Sequence, residues 1–180
     1  MKKILLLLIY FIISILIFSA ENGLPKNFYK VNMEIYRSAQ PTEYNMEELE
    51  KIGIKTILNL RMFHSDSNEA KNTNLKLYHL KMRAGKIKDK EIIAAMKIIN
   101  ESEKPILIHC MHGSDRTGIV IAMYRIIFNG YTKKEAIEEL KNKKYGYHEK
   151  IYGNIIKYIE RADIEKLKKE IFKKEYKGVE

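Results

Sequence analysis

The sequence predicts an α/β domain: a central, mostly parallel sheet flanked by helices. Three observations predict it. Short β-rich or apolar runs at 54–60, 75–80 and 105–109 are each too brief for a helix. Amphipathic stretches with capping residues stand between and after them. The resulting order, β-α-β-β-α-β-α-α-α, needs crossover connections and therefore some parallel strands. Of the 180 residues, 46% are hydrophobic and only three are proline and nine glycine, which fits a packed domain and excludes disordered or collagenous chains. Residues 21–180 are read as one domain.

Met1 is followed by Lys2, Lys3 and an apolar run over 4–18 in which Ser14 is the polar member. A charged start and a short apolar segment form a secretory signal, with cleavage near Ser19 or Ala20, or an uncleaved anchor. The chain is thus expected to be exported, periplasmic or secreted, touching a membrane only through residues 1–20. Residues 21–34 form an arm or short edge strand that leads to Glu34-Ile35-Tyr36. Asn45 with Glu48 reads as a capping box ahead of Met46, Leu49 and Ile52, with Gly53 as the stop, so 46–52 is expected to be a short helix. Two strands follow, 54–60 and 75–80, joined by a polar loop. Asp89 reads as the N-cap of a helix over 90–101 with Ile92, Ile93, Met96 and Ile99 on one face. Pro105-Ile106-Leu107-Ile108-His109 is almost wholly apolar and reads as a buried central strand. A helix over 117–129 ends at Gly130. Thr132 with Glu135 opens another to about Lys143, and 149–161 and 164–176 are helical.

The net charge is +10 and the excess is Lys-rich, so anionic partners are favoured. Cys110 is the single cysteine, which excludes an intrachain disulfide or a cysteine-based zinc cluster. Between the central strand and the helix after it stands His109-Cys110-Met111-His112-Gly113-Ser114-Asp115-Arg116-Thr117-Gly118. A loop from a strand end into a helix N-terminus turns free N–H groups toward one point, where the helix dipole adds positive potential. Gly113 permits a tight fold there, and Arg116 can grip two phosphate oxygens. Cys110 shares this field, which favours thiolate over thiol and makes it a nucleophile for a bound phosphorus.

This segment resembles the His-Cys-x5-Arg-Thr/Ser signature of the cysteine-dependent protein tyrosine phosphatases, and Arg116-Thr117-Gly118 resembles their dual-specificity branch. Tyr36-Arg37-Ser38-Ala39-Gln40-Pro41 is similar to the entry motif of a subgroup containing exported bacterial tyrosine phosphatases and atypical plant and fungal enzymes. The resemblance covers most of residues 35–160. It implies a protein-tyrosine-phosphatase-like fold and a metal-independent, cofactor-free phosphatase. Cys110 becomes a phosphocysteine; Arg116 and the N–H groups of residues 111–116, including Met111, His112, Gly113 and Ser114, hold the phosphoryl oxygens; Thr117 assists thiolate departure. His109 orients the loop, and Arg37 supports the loop or the fold.

The resemblance also implies an aspartic acid donor on the loop before the helix at 90, yet residues 81–88 contain no carboxylate. Asp89 suits a cap better, which leaves Asp115, at a position where myotubularin-like and Sac-like lipid phosphatases carry an Asp. Expected partners are phosphotyrosine proteins or a phosphorylated small molecule such as an inositol phosphate or phosphoinositide; a silent phosphate-binding module is the reading of another class. The protein is expected to be a monomer. A nucleic-acid partner is disfavoured, since no recognition motif is present. His64, His79 and His148 read as scattered surface or core histidines, and Tyr145, Tyr147 and Tyr152 as pocket-mouth or packing residues.

Overall fold

The computed structural model describes residues 23–173. The signal or anchor read into 1–20 lies outside them; the helix read over 164–176 ends within them, at Ile171 with Phe172 as its C-cap. A five-stranded sheet runs β1 (Tyr29–Lys30), β2 (Ile35–Ser38), β3 (Thr56–Asn59), β4 (Lys76–His79) and β5 (Ile106–His109) in chain order. In space the order is β1-β2-β5-β3-β4. All neighbouring pairs are parallel except β1 against β2. The short β1 is the edge strand expected within 21–34.

Strand β5 sits in the middle, as its composition requires. Successive side chains point to opposite faces, so an all-apolar strand needs a core on each side. Ile106 and Ile108 enter the larger core with Leu58, Leu60, Met96, Ile99 and Ile119. Leu107 enters the smaller one with Ile57, Met46 and Leu49. Helix α1 (Glu43–Lys51) covers the smaller core. The larger core is covered by α2 (Asp89–Glu101), α3 (Asp115–Asn129), α4 (Lys133–Leu140), α6 (Asn154–Arg161) and α7 (Ile164–Ile171). A 3₁₀ turn (Lys143–Tyr145) and the single-turn α5 (Glu149–Tyr152) connect α4 to α6.

Several helix starts differ from expectation. The capping box of α1 is Thr42 with Asn45: Thr42 Oγ1 accepts from Asn45 N–H at 3.2 Å and Asn45 Oδ1 accepts from Thr42 N–H at 3.0 Å. Asn45 does the work usually assigned to Glu or Gln, so the helix begins three residues before 46 and Asn45 lies inside it. Asp89 is not an N-cap but the first residue of α2; Lys88 occupies the cap position. The Asp89 carboxylate instead accepts from Tyr158 Oη at 2.9 Å. Burial and then the bond to Asp89 raise the Tyr158 pKa above its ordinary value, so it stays a donor. Helix α3 begins at Asp115, two residues earlier than read, and stops at Gly130, whose φ of 73° suits glycine. Helix α4 has the Thr132/Glu135 capping box but ends at Leu140 rather than near Lys143. Gly153 divides 149–161 into α5 and α6.

Helix α3 is clamped to its neighbours as well as buried. Arg125 grips Glu139 of α4 with two bonds, at 2.9 and 3.2 Å, and donates to Val31 O at 3.0 Å. This fixes α3, and with it the loop at its start, relative to both sheet and helical layer. Among the described residues no helix is long and apolar enough to cross a membrane. Truncating a core contact remote from the loop, Ile99→Ala, is expected to lower unfolding free energy by about 2–5 kcal/mol in urea denaturation. A loss below 0.5 kcal/mol would show that α2 is not packed as described.

Candidate active site

The C-terminal ends of β2, β5 and β3 lie in register, with Ser38 beside His109 and Asn59 beside His109. The loops that leave these ends therefore meet at one edge of the sheet, the usual position for a ligand in an open α/β fold. Residues 110–114 are the connection from β5 to α3. Three successive carbonyls of this loop are drawn outward. Met111 O accepts from Gln40 N–H at 3.2 Å, His112 O from Asn27 Nδ2 at 2.8 Å, and Gly113 O from Arg37 Nη2 at 2.7 Å. Since N–H and C=O of a trans peptide point oppositely, the next three amides, of His112, Gly113 and Ser114, are turned inward. Among the described residues these N–H groups donate to no protein acceptor. An inward nest of amides at the N-terminus of a 15-residue helix is an anion site.

Gly113 has φ of 71°, and a Cβ there would lie 2.4 Å from Ser38 O and 2.7 Å from Ala39 N, so both conformation and space demand glycine. Cys110 lies at the floor of the loop with 2% of its surface exposed. Thr117 is fully buried and its Oγ1 has no hydrogen bond; Arg116 Nε is likewise buried without one, and its Nη1 makes only a long 3.5 Å contact to Leu60 O. Arg116 thus keeps most of its donors uncommitted at the loop. Met111 is half exposed and His112 exposed, at the rim.

Two buried groups that brace this loop come from elsewhere. The Arg37 guanidinium, 1% exposed, bonds Gly113 O and stacks on the Tyr145 ring at 3.9 Å. Burial pulls its pKa below the ordinary value, opposed by Tyr145, Glu139 and Cys110. This is the loop support that the entry motif suggested. Tyr145 is buried packing, and Tyr147 donates to Tyr152 O at 2.6 Å. Burial, then Glu149 and Asp115, push the Tyr147 hydroxyl up to about 12. On the other side, buried Asp66 bonds His109 Nε2 at 2.7 Å and accepts from Gln40 Nε2 at 2.9 Å. Burial alone would raise the Asp66 pKa, but the bond to and charge of His109, with Gln40, outweigh it and hold it below 3.8.

Sequence reasoning missed Asp66, Asn27 and His148. Asp66 sits in a polar loop 43 residues before His109 and carries no local pattern. His64, read as isolated, joins it: ligand-type atoms of His64, Asp66 and Glu69 lie within 4.8 Å of one another. His64 Nε2 pairs with Glu69 Oε1 at 2.8 Å while Asp66 is committed to His109, so the cluster braces the loop that carries it. Asp115 is buried, and its carboxylate is engaged by His148 through the main-chain N–H at 3.0 Å and ring Nδ1 at 2.9 Å. Histidine 148 is therefore not an unattached surface residue. The loop 81–88 is held at Ala84 O by Asn154 Nδ2, 2.8 Å away.

The Asp66 pair leads to a signed pH dependence. A carboxyl held low in the folded state stabilises above its unfolded pKa and loses that contribution as pH falls through the folded one. Asp66→Asn is expected to lower stability by about 1–3 kcal/mol at pH 5–7. In urea unfolding, the gap from the wild type is expected to shrink as pH falls below 3.8. A gap that widens in acid would contradict the pairing.

Comparison with known proteins agrees with this geometry. The model of the tyrosine phosphatase family matches residues 24–177. The dual specificity protein phosphatase TpbA of Pseudomonas aeruginosa is 29% identical over 146 residues, which cover 79% of this chain and 65% of that protein. The inositol diphosphatase SIW14 of Saccharomyces cerevisiae is 36% identical over 115 residues, 58% of this chain and 41% of the relative. The chain thus spans just under two thirds of the first relative and less of the second. The crystal structure of TpbA superposes with a TM-score of 0.73 at 28% identity, covering 81% of this chain and 91% of that one. The catalytic core of SIW14 in complex with citrate gives 0.70 at 30% identity, with 81% and 91% covered. With the family pattern running over nearly all of the described residues, the chain belongs to the tyrosine phosphatase family.

Proposed function

We propose that the protein hydrolyses phosphomonoesters through a phosphocysteine on Cys110, with phosphotyrosine in proteins as the leading substrate. The observation that carries this reading is the loop 110–116, with inward amides and an uncommitted Arg116 above a lone cysteine. In the first step Cys110 Sγ attacks phosphorus, the S–P bond forms and the bond to the leaving oxygen breaks. The amides of residues 111–116 and the Arg116 guanidinium hold the equatorial oxygens as charge shifts onto them. In the second step water attacks phosphorus, the P–S bond breaks and phosphate leaves, with the Thr117 hydroxyl assisting sulfur. Positioning and charge stabilisation supply the rate, and the reading calls for no cofactor. The name of TpbA and a structure of it in complex with pTyr support the phosphotyrosine assignment.

A second reading, an inositol polyphosphate substrate, is favoured by a cavity lined by Lys81, Arg83, Lys86, Lys88 and Lys90. All but Lys90, which lies in the first turn of α2, belong to the loop where the family resemblance implies a carboxylate acid, and together they suit a ligand with several phosphates. The inositol diphosphatase relatives support it. Export belongs to the proposal too, supported by the pattern of residues 1–20, as does action by a monomer.

The purified protein is expected to hydrolyse p-nitrophenyl phosphate without added metal, and Cys110→Ser to remove that activity by at least about 10³-fold. Arg116→Lys, which keeps charge but loses the fork, is expected to cost about 10²–10³-fold in kcat. Hydrolysis unaffected by Cys110→Ser would contradict the proposal, and no hydrolysis at all would leave a phosphate-binding module. A kcat/KM for inositol hexakisphosphate above that for a phosphotyrosine peptide would select the second substrate.

A further inference from the structure

The uncarboxylated loop 81–88 leaves the leaving oxygen without its usual proton donor, and the candidates around the site are few. Asp89 is occupied by Tyr158 Oη and Asp66 by His109 and Gln40. Asp115 is 5% exposed and both of its oxygens face His148: Oδ1 takes the main-chain N–H at 3.0 Å, and ring Nδ1 lies 2.9 Å from Oδ2 and 3.2 Å from Oδ1. A carboxylate against Nδ1 fixes the proton there and turns Nε2 outward. Among the described residues Nε2 has no hydrogen-bond partner. The His148 side chain is 43% exposed.

His148 also stands at the anion loop. Its ring centroid is 5.7 Å from that of His112, two residues after Cys110. Asn27 Nδ2 ties the two segments together, donating to His112 O at 2.8 Å and to Tyr145 O at 3.1 Å. A Cβ on Gly146 would lie 3.3 Å from Ser114 Oγ, so residues 145–148 run against the loop itself. Asn27 adopts a positive φ of 55°, a conformation that Asn tolerates better than most residues, to make this bridge.

We propose that His148, oriented by Asp115, is the proton donor of the reaction, in place of the carboxylic acid missing from residues 81–88. This rests on the phosphocysteine reading above. As the S–P bond forms and the P–O bond breaks, the proton on His148 Nε2 passes to the leaving oxygen. In the second step neutral Nε2 takes a proton from the attacking water while the P–S bond breaks, which restores the starting enzyme. Asp115 keeps its charge throughout and acts as a positioning residue, holding the imidazole and stabilising its cation. The role expected for Asp115 as direct donor thereby moves one residue outward, because its oxygens are turned to the imidazole.

Leaving-group dependence tests this, since a proton donor matters most where the leaving oxygen is basic. Rates of wild type, His148→Gln, Asp115→Asn and Asp89→Asn are measured on phenyl phosphate and on 2,4-dinitrophenyl phosphate. His148→Gln is expected to lower the phenyl phosphate rate at least tenfold more than the dinitrophenyl rate, and Asp115→Asn to shift the ratio in the same direction. Asp89→Asn is expected to leave the ratio as in wild type. Equal losses on both esters for His148→Gln, or a ratio shifted by Asp89→Asn alone, would overturn the proposal. A Cys110-dependent wild type with an unshifted ratio in His148→Gln removes only this inference, whereas activity independent of Cys110 removes the phosphocysteine reading beneath it.

Discussion

Three outward-drawn carbonyls set the rest of the site. A peptide cannot aim its C=O and its N–H at the same place, so the donors that hold Met111 O, His112 O and Gly113 O also aim the following amides at the anion. Those donors come from the first third of the described chain: Asn27, Arg37 and the main chain of Gln40. The N-terminal arm and β2 are thus as much part of the anion site as the loop that carries Cys110. A buried guanidinium such as that of Arg37 is costly unless its donors are met, and here one meets Gly113 O while the plane rests on Tyr145.

The opposite flank is organised around a second buried charge. Asp66 bonds His109, and Gln40 joins Asp66 to the loop through its own N–H on Met111 O and its side chain on Asp66 and Arg61. The residues before and within the signature are therefore held from two sides, by the buried guanidinium of Arg37 and by the buried carboxylate of Asp66. Helix α3 supplies the third side, immobilised by burial and by the Arg125–Glu139 fork. On the proposed function, a phosphate entering such a site would meet donors already in place, with little reorganisation left for the reaction.

Much of this was legible in the sequence. The central strand announced itself because an apolar run with a core on both faces has no polar positions to alternate, and the Thr132/Glu135 box and Gly130 marked real helix ends. The loop 109–118 was legible because its residue types are dictated locally: a glycine for φ of 71°, an arginine at a helix start, a cysteine at a strand end. Apart from Arg37, what was not legible was the bracing. Asp66 and His109, Asn27 and His112, Asp115 and His148 are separated by 43, 85 and 33 residues, and nothing in the neighbourhood of Asp66, Asn27 or His148 distinguishes it from an exposed polar residue. The α1 cap was misread because Asn45 at N3 reproduces with an amide what Glu usually does with a carboxylate. Asp89 was misread because a Tyr on a distant helix competes for its carboxylate.

The central claim is that the anion loop presents a cysteine sulfur to phosphorus. Rapid acid quench of the enzyme mixed with excess p-nitrophenyl phosphate, followed by peptide mass spectrometry, tests it most directly. The account predicts one phosphoryl group on the peptide containing Cys110, formed within the first turnover and absent when Arg116 is replaced by Ala. Turnover with no phosphorylated cysteine, or with the phosphoryl group on a histidine such as His109 or His112, would contradict it.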